Sequence, residues 1–205
     1  DGSFVVTWAG VNQVREDLFT GEIRGQVYNA DGTTLGDGFL TNTTNESSQS
    51  SPSVTGLSDG GFVATWRDAS RTGEDTSLGA IRGQAYNADA TARGNEFLVN
   101  TTTENFQDFP SVTGLSDGGF VAIWKDSSET GGDTSSGAIR GQAYNADGTA
   151  RGDEFLVNTT TENSQFGPSV TGLPDGGFVA TWTDFSETGG DQSGSAVRGQ
   201  IFSLD

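Results

Sequence analysis

Histidine, cysteine and methionine are absent from this chain of 205 residues. Without cysteine there is no disulfide, no zinc–thiolate site and no cysteine nucleophile. Without histidine the commonest general base and the commonest metal ligand are missing. A chain lacking methionine altogether reads as a piece of a longer or processed protein. No apolar run approaches the roughly 20 residues that span a bilayer, and the segment shows no signal peptide. Basic residues are scarce, 10 Lys and Arg against 28 Asp and Glu, for a net charge of −18. That field repels nucleic-acid backbones and anionic membranes and attracts cations, so neither nucleic acid nor membrane insertion is expected.

Glycine, at 31 residues, and aromatics (Phe 13, Trp 4, Tyr 3) are plentiful. Aromatics spread among Gly, Thr, Ser, Asn and Asp describe short strands joined by turns, whereas a disordered acidic chain would lack them. The stretch Asp-Gly-Gly-Phe-Val-Ala-Thr-Trp at 59–66 returns unchanged at 175–182, with variants at 1–8 and 117–124. The chain therefore divides into repeats at 1–58, 59–116 and 117–174 and a partial repeat at 175–205, within one domain. The second and third repeats differ at only about a dozen positions; the first diverges mainly over 9–22.

Each repeat holds four strand-like runs, in the second at 62–66, 80–87, 96–101 and 110–115. Asp-Gly supplies the positive φ that tight hairpins need. The run at 62–66 is apolar or small on both faces, as in a strand covered on both sides. In the run at 81–86 Arg82, Gln84 and Tyr86 share one face, so it reads as half-buried. A four-stranded antiparallel unit covered by its neighbours is a β-propeller blade. One unit is too short for a β-sandwich. The expected fold is all-β: tandem four-stranded antiparallel repeats, propeller-like, with about four blades or part of a larger array. Fourteen strands are predicted. That number leaves open a gapped four-bladed ring, an excerpt of an array, and a protomer whose open edge pairs with another chain.

The order of three motifs, Pro-Ser-Val-Thr-Gly-Leu-Ser-Asp-Gly-Gly-Phe-Val-Ala-Thr-Trp (52–66), Ile-Arg-Gly-Gln-Ala-Tyr-Asn-Ala-Asp (81–89) and Gly-Asn-Glu-Phe-Leu-Val-Asn-Thr (94–101), resembles the repeats of large secreted bacterial RTX, hemolysin-type calcium-binding and adhesin-like proteins. The resemblance covers essentially the whole chain. It implies an extracellular, cell-surface repeat scaffold exported by a dedicated system. The Gly-Gly-x-Gly-x-Asp nonapeptides of that class are missing, so calcium binding does not follow from it.

The loop after each Trp is acidic. Spaced oxygens on a Gly- and Ser-rich loop suit Ca²⁺, which makes Asp68, Asp75, Asp126, Glu129, Asp133, Asp184, Glu187 and Asp191 the candidate ligands and Ca²⁺ the candidate cofactor. No Asp-x-Asp-x-Asp-Gly pattern orders them, and a solvated loop with an Asp capping a turn is the simpler reading. Arg24, Arg82, Arg140 and Arg198 recur with Gln26, Gln84, Gln142 and Gln200. They read as partners of a recurring Asp and as strand ties, ahead of sugar contacts. The recurring Trp reads as core.

There is no Ser/His pair, no phosphate loop and no acid pair outside the repeat. Residues present three or four times suit structure or multivalent binding better than one catalytic constellation. The expected function is thus a non-enzymatic structural or adhesive module, self-assembling through open strand edges. A lectin-like propeller with one glycan site per blade and a calcium-stabilised domain are the alternatives. Expected partners are the chain itself, neighbouring repeats and glycans.

Overall fold

A computed structural model describes residues 2–15, 18–44 and 46–203. The described residues form fourteen strands, as predicted: β1(Phe4–Arg15), β2(Leu18–Tyr28), β3(Thr34–Leu40), β4(Gln49–Gly56), β5(Phe62–Asp68), β6(Ala80–Tyr86), β7(Ala92–Leu98), β8(Gln107–Gly114), β9(Phe120–Asp126), β10(Ala138–Tyr144), β11(Ala150–Leu156), β12(Gln165–Gly172), β13(Phe178–Asp184) and β14(Ala196–Phe202). They make four antiparallel sheets, β1-β2-β3, β4-β5-β6-β7, β8-β9-β10-β11 and β12-β13-β14. Each sheet from the second on takes its first strand from the end of the preceding sequence repeat, so a structural blade is offset from the repeat by one strand. β4, β8 and β12 are the innermost strands and lie side by side between blades. The fold is an all-β, propeller-like array.

The turns explain the offset. Asp59 Oδ1 accepts the Gly61 amide at 2.9 Å, Gly60 sits at φ +88°, and the turn closes through Leu57 N to Gly61 O at 2.8 Å. A Cβ on Gly61 would stand 2.5 Å from the Tyr86 carbonyl oxygen, so the hairpin is tied by glycine at two successive positions. β7 begins four residues before the predicted run. Arg93 and Gly94 are accommodated by a register shift between Gly83 and Ala85, with Gly94 at φ +72°. It ends earlier because the Asn100 side chain replaces the next rung: its Oδ1 accepts the Ile81 amide at 2.7 Å.

The core lies between blades. Val63, Ile81 and Val99 on the back of the second blade meet Val112, Phe120, Ala122 and Trp124 on the front of the third. Val121, Ile139 and Val157 meet Val170, Phe178, Ala180 and Trp182 in the same way. Trp66, Trp124 and Trp182 are buried. β6 is buried on both faces, where a half-buried strand was expected. The next blade covers the Ile81 face, and the preceding blade together with an internal ion pair covers the Arg82 face. Tyr86 and Tyr144 donate to the carbonyls of Thr41 and Val99 in the preceding blade. Burial, the largest influence, pushes both phenols up, so they stay neutral donors.

Candidate functional site

The connections between blades and the loops at 69–79, 127–137 and 185–195, each after a Trp strand, lie at one end of the array, the loop face. The candidate acids divide there by environment. Asp68 accepts from Gln49 Nε2 (2.9 Å), Ser70 N (3.0 Å), Ser70 Oγ (2.6 Å) and Arg82 Nε (2.6 Å). Asp126 repeats this with Gln107, Ser128 and Arg140. Asp184 does so with Gln165, Ser186 and Arg198. Burial pushes the Asp184 carboxyl up, but the donors from Ser186, Arg198 and Gln165 outweigh it and hold it below the usual range. The first repeat has Gly10 at this position, and Glu22 takes over as the partner of Arg24 at 2.6 Å.

Asp75 and Asp133 are buried. Each accepts the side-chain amide of Asn100 or Asn158, at 2.8 and 2.7 Å, and the amide of Ser77 or Ser135. Asp191 is exposed and caps its turn through Ser193. Glu129 and Glu187 are exposed in the left-handed region, at φ 58° and 55°. The structure therefore spreads the eight candidates over three separate loops, and most of their oxygens already accept protein donors. Among the described residues no three acidic groups come together to hold a metal ion.

A different set of residues converges on the loop face. β8 and β12 each carry a bulge, between Asp108 and Ser111 and between Phe166 and Ser169. Phe109 occupies the bulge at φ 54°, and Gly167 holds the matching position at φ 59°. An aromatic residue in the left-handed region is strained and signals a local requirement. The bulge turns the Phe109 ring onto Phe166 of the adjacent blade, edge to face with centroids 4.6 Å apart. Both rings stay exposed, by 38% and 40%. Phe106 and Asp108 are close to Phe109 in the chain: Arg67 of the preceding blade lies over the exposed Phe106 ring at 5.9 Å and 3.6 Å from Asp108. This arrangement offers two apolar edges beside one guanidinium–carboxylate pair.

Reading the recurring residues missed this patch, because it is made where the repeats depart from one another. Phe106, Asp108 and Phe109 of one strand align with Ser164, Phe166 and Gly167 of the next, and with Ser48, Ser50 and Ser51 before them. In repeats that differ at few positions, three differences within four residues were the available signal.

At the opposite, turn end, a cleft of about 570 Å³ opens between the first two blades. Phe4, Val5, Val27, Val54 and Phe62 line it along with glycines and backbone, and no charged side chain does so among the described residues.

No family model matches the chain, and neither does any curated protein. Solved structures do resemble it. A thermostable family-43 glycoside hydrolase aligns over 100% of this chain and 69% of its own, at 13% identity and a TM-score of 0.55. The xylan β-1,4-xylosidase of Bacillus halodurans C-125 aligns over 98% of this chain and 39% of its own, at 16% identity and a TM-score of 0.56. The α-L-arabinanase of Penicillium chrysogenum, complexed with arabinobiose, aligns over 87% and 55%, at 17% identity and a TM-score of 0.53. The chain spans well under two thirds of the latter two.

At such identities the likeness establishes the fold. It also corrects three expectations. These three solved structures, which share this architecture, are glycoside hydrolases, not RTX, hemolysin-type or adhesin-like repeats. Asp-Gly-Gly hairpins and apolar blade faces are requirements of blade packing, so their order did not mark a secretion class. The non-enzymatic structural or adhesive module falls with that resemblance. So does the expectation of no enzyme: lack of histidine removes Ser/His chemistry, whereas glycoside hydrolysis runs on carboxylates, of which this chain has 28.

Proposed function

We propose that this chain processes carbohydrate, taking a saccharide against the Phe109–Phe166 pair on its loop face. The observation that carries the reading is that pair: two exposed rings from adjacent blades, one of them held there by a strained bulge. Sugar rings present an apolar C–H face edged by hydroxyls, and a mostly apolar platform with a few placed polar groups suits that chemistry. Asp108 and Arg67 supply the polar groups. The likeness of the fold to glycoside hydrolases supports the same reading. Hydrolysis uses two carboxylates on either side of the scissile bond, roughly 5–10 Å apart. Glu104, Asp108 and Glu162 are the acids on the connections and strands that carry the aromatic patch, and Glu104 and Glu162 are exposed.

The test pairs binding with turnover. Electrophoresis through gels containing xylan or arabinan should retard the chain, and Phe109→Ala with Phe166→Ala should abolish the retardation. Release of reducing ends from the same polymers should fall to background in Glu104→Gln, Asp108→Asn or Glu162→Gln. Retardation without release would overturn the hydrolytic step. Neither retardation nor release across neutral and acidic polysaccharides would overturn the carbohydrate reading.

A further inference from the structure

The chain has a single lysine, Lys125, and it stands in the joint that the Phe109–Phe166 pair crosses. Arg67, Lys125 and Thr183 occupy one repeat position, at the loop end of the Trp strand. Arg67 reaches across the joint between the second and third blades. There it meets Asp108 at 3.6 Å and the Phe106 ring, and it donates to the Leu78 carbonyl at 3.3 Å. Lys125 repeats that placement between the third and fourth blades. Its Cε stands 2.9 Å from the point a Cβ on Gly137 would take, and the hydroxyl of Ser164, just before β12, stands 2.5 Å from the same point. The matching point on Gly79 lies 3.0 Å from Arg67 Nε.

The two joints differ in the acid. Phe166 stands where the earlier joint has Asp108. Asp108 itself lies opposite Lys125 in the β8–β9 ladder, but its carboxylate reaches Arg67 and accepts the Phe109 amide at 2.8 Å. Among the described residues Lys125 therefore pairs with no carboxylate, and its ammonium donates to the Ser127 hydroxyl at 2.7 Å. An ammonium has three donors, and this hydroxyl takes one. Arg82, Arg93, Arg140, Arg151 and Arg198, by contrast, each contact an aspartate. In a chain of net charge −18, a half-buried cation without an acid, beside two exposed rings, is set apart from the ion pairs that brace the blades.

We infer that Lys125 receives the carboxylate of a uronic-acid residue in the saccharide that lies on Phe109 and Phe166. This rests on the saccharide reading above and narrows it to a neutral chain carrying an isolated acid. A polyuronate is disfavoured, because the net charge of −18 repels a polyanion. A single carboxylate needs one cation, and charges beyond about 8 Å are screened at physiological salt. One charge-assisted hydrogen bond at a half-buried site corresponds to roughly tenfold in affinity.

Isothermal titration at about 0.15 M NaCl tests this with two probes: a xylo-oligosaccharide bearing one glucuronic acid, and the same oligosaccharide with that carboxyl reduced to the alcohol. The parent should bind the acidic probe roughly tenfold more tightly. Lys125→Gln should bind the two equally, and Lys125→Arg should keep the preference, with circular dichroism and melting temperature showing that both variants fold. Equal affinity of the parent for the two probes would overturn the inference and leave the saccharide reading standing. A preference that survives in Lys125→Gln would overturn it as well, by placing the cation elsewhere. Binding of neither probe would also overturn it; only together with no retardation by any polysaccharide would that result remove the saccharide reading too.

Discussion

Arg140 donates through Nε to Oδ2 of Asp126 across 2.8 Å, with both side chains almost wholly inside the protein, 6% and 1% exposed. Its Nη1 also lies 3.2 Å from Glu154 Oε1. Glu154 in turn accepts from the backbone and hydroxyl of Thr101 and Thr102 in the preceding connection. One guanidinium thus fixes a loop and the joint to the preceding blade. Removing one partner of a buried pair strands the other charge, which costs about 3–5 kcal/mol. Arg140→Met should lower stability by that order in urea unfolding. Arg24 occupies the same repeat position with its side chain 48% exposed and is paired with Glu22. Arg24→Met should cost ~0–1 kcal/mol, as exposed pairs do. Equal losses at the two sites would contradict the assignment of the buried pair as the structural one.

The inner strands approach so closely that they tolerate no side chain at one point. A Cβ on Gly114 would stand 2.5 Å from the Gly56 carbonyl oxygen, and one on Gly172 would collide with the Gly114 carbonyl. The Gly114 amide donates to Thr55 Oγ1 and the Gly172 amide to Thr113 Oγ1, both at 3.0 Å, so the strands cannot slide apart freely. Gly114→Ala and Gly172→Ala should each destabilise by about 1–3 kcal/mol through overpacking. Gly56 has open space at the same repeat position and no positive φ, so Gly56→Ala should change stability by no more than about 0.5 kcal/mol. Thermal melts of the three variants make the comparison within one protein.

The acidic loops yield a prediction about calcium. A Ca²⁺ ion bound at Asp68 or Asp126 would have to displace an arginine and a serine hydroxyl that already satisfy the carboxylate. At Asp75 and Asp133 it would have to displace an asparagine amide that also supports a strand. Chelation by EDTA should therefore leave the melting temperature unchanged, and millimolar CaCl₂ should do no more than NaCl of equal ionic strength. A specific rise with Ca²⁺ would show that the exposed Glu129, Glu187 and Asp191 bind it.

Much of the fold was legible because blade packing writes itself into sequence. Asp-Gly-Gly marks each inner hairpin, and the alternation of 62, 64 and 66 with 63 and 65 separates the front of a blade from its back. The recurring Arg and Asp announced their own pairing, seen in Arg82 with Asp68. β7 was misplaced because its bulge at Arg93 and Gly94 carries polar residues inside a strand. The candidate site was illegible for a physical reason: repetition identifies what packing requires of every blade, and a binding patch needs residues that only one or two blades have. Phe109 and Phe166 stand out once the repeats are subtracted from one another.

The turn face supplies the pH dependence. Hydrogen bonding to Arg93 and to the Gly61 amide holds the Asp59 carboxyl below the usual range, and the Gly119 amide and Arg151 do the same for Asp117. Arg93 and Arg151 reach these acids at 2.7 and 2.5 Å. A carboxyl depressed in the folded state favours folding fully above its unfolded value of about 3.9, and that contribution disappears as pH falls through the folded value. Stability should therefore decline on acidification below about pH 4. Because lower pH also relieves the net negative charge, the informative quantity is the difference between variants. Asp59→Asn and Asp117→Asn should be less stable than the parent at pH 7 and converge on it toward pH 2, with the gap at pH 7 narrowed by salt as these acids are nearly half exposed. A gap that persists unchanged at pH 2 would assign the loss to the Asp-Gly-Gly turn geometry instead of the ion pairs.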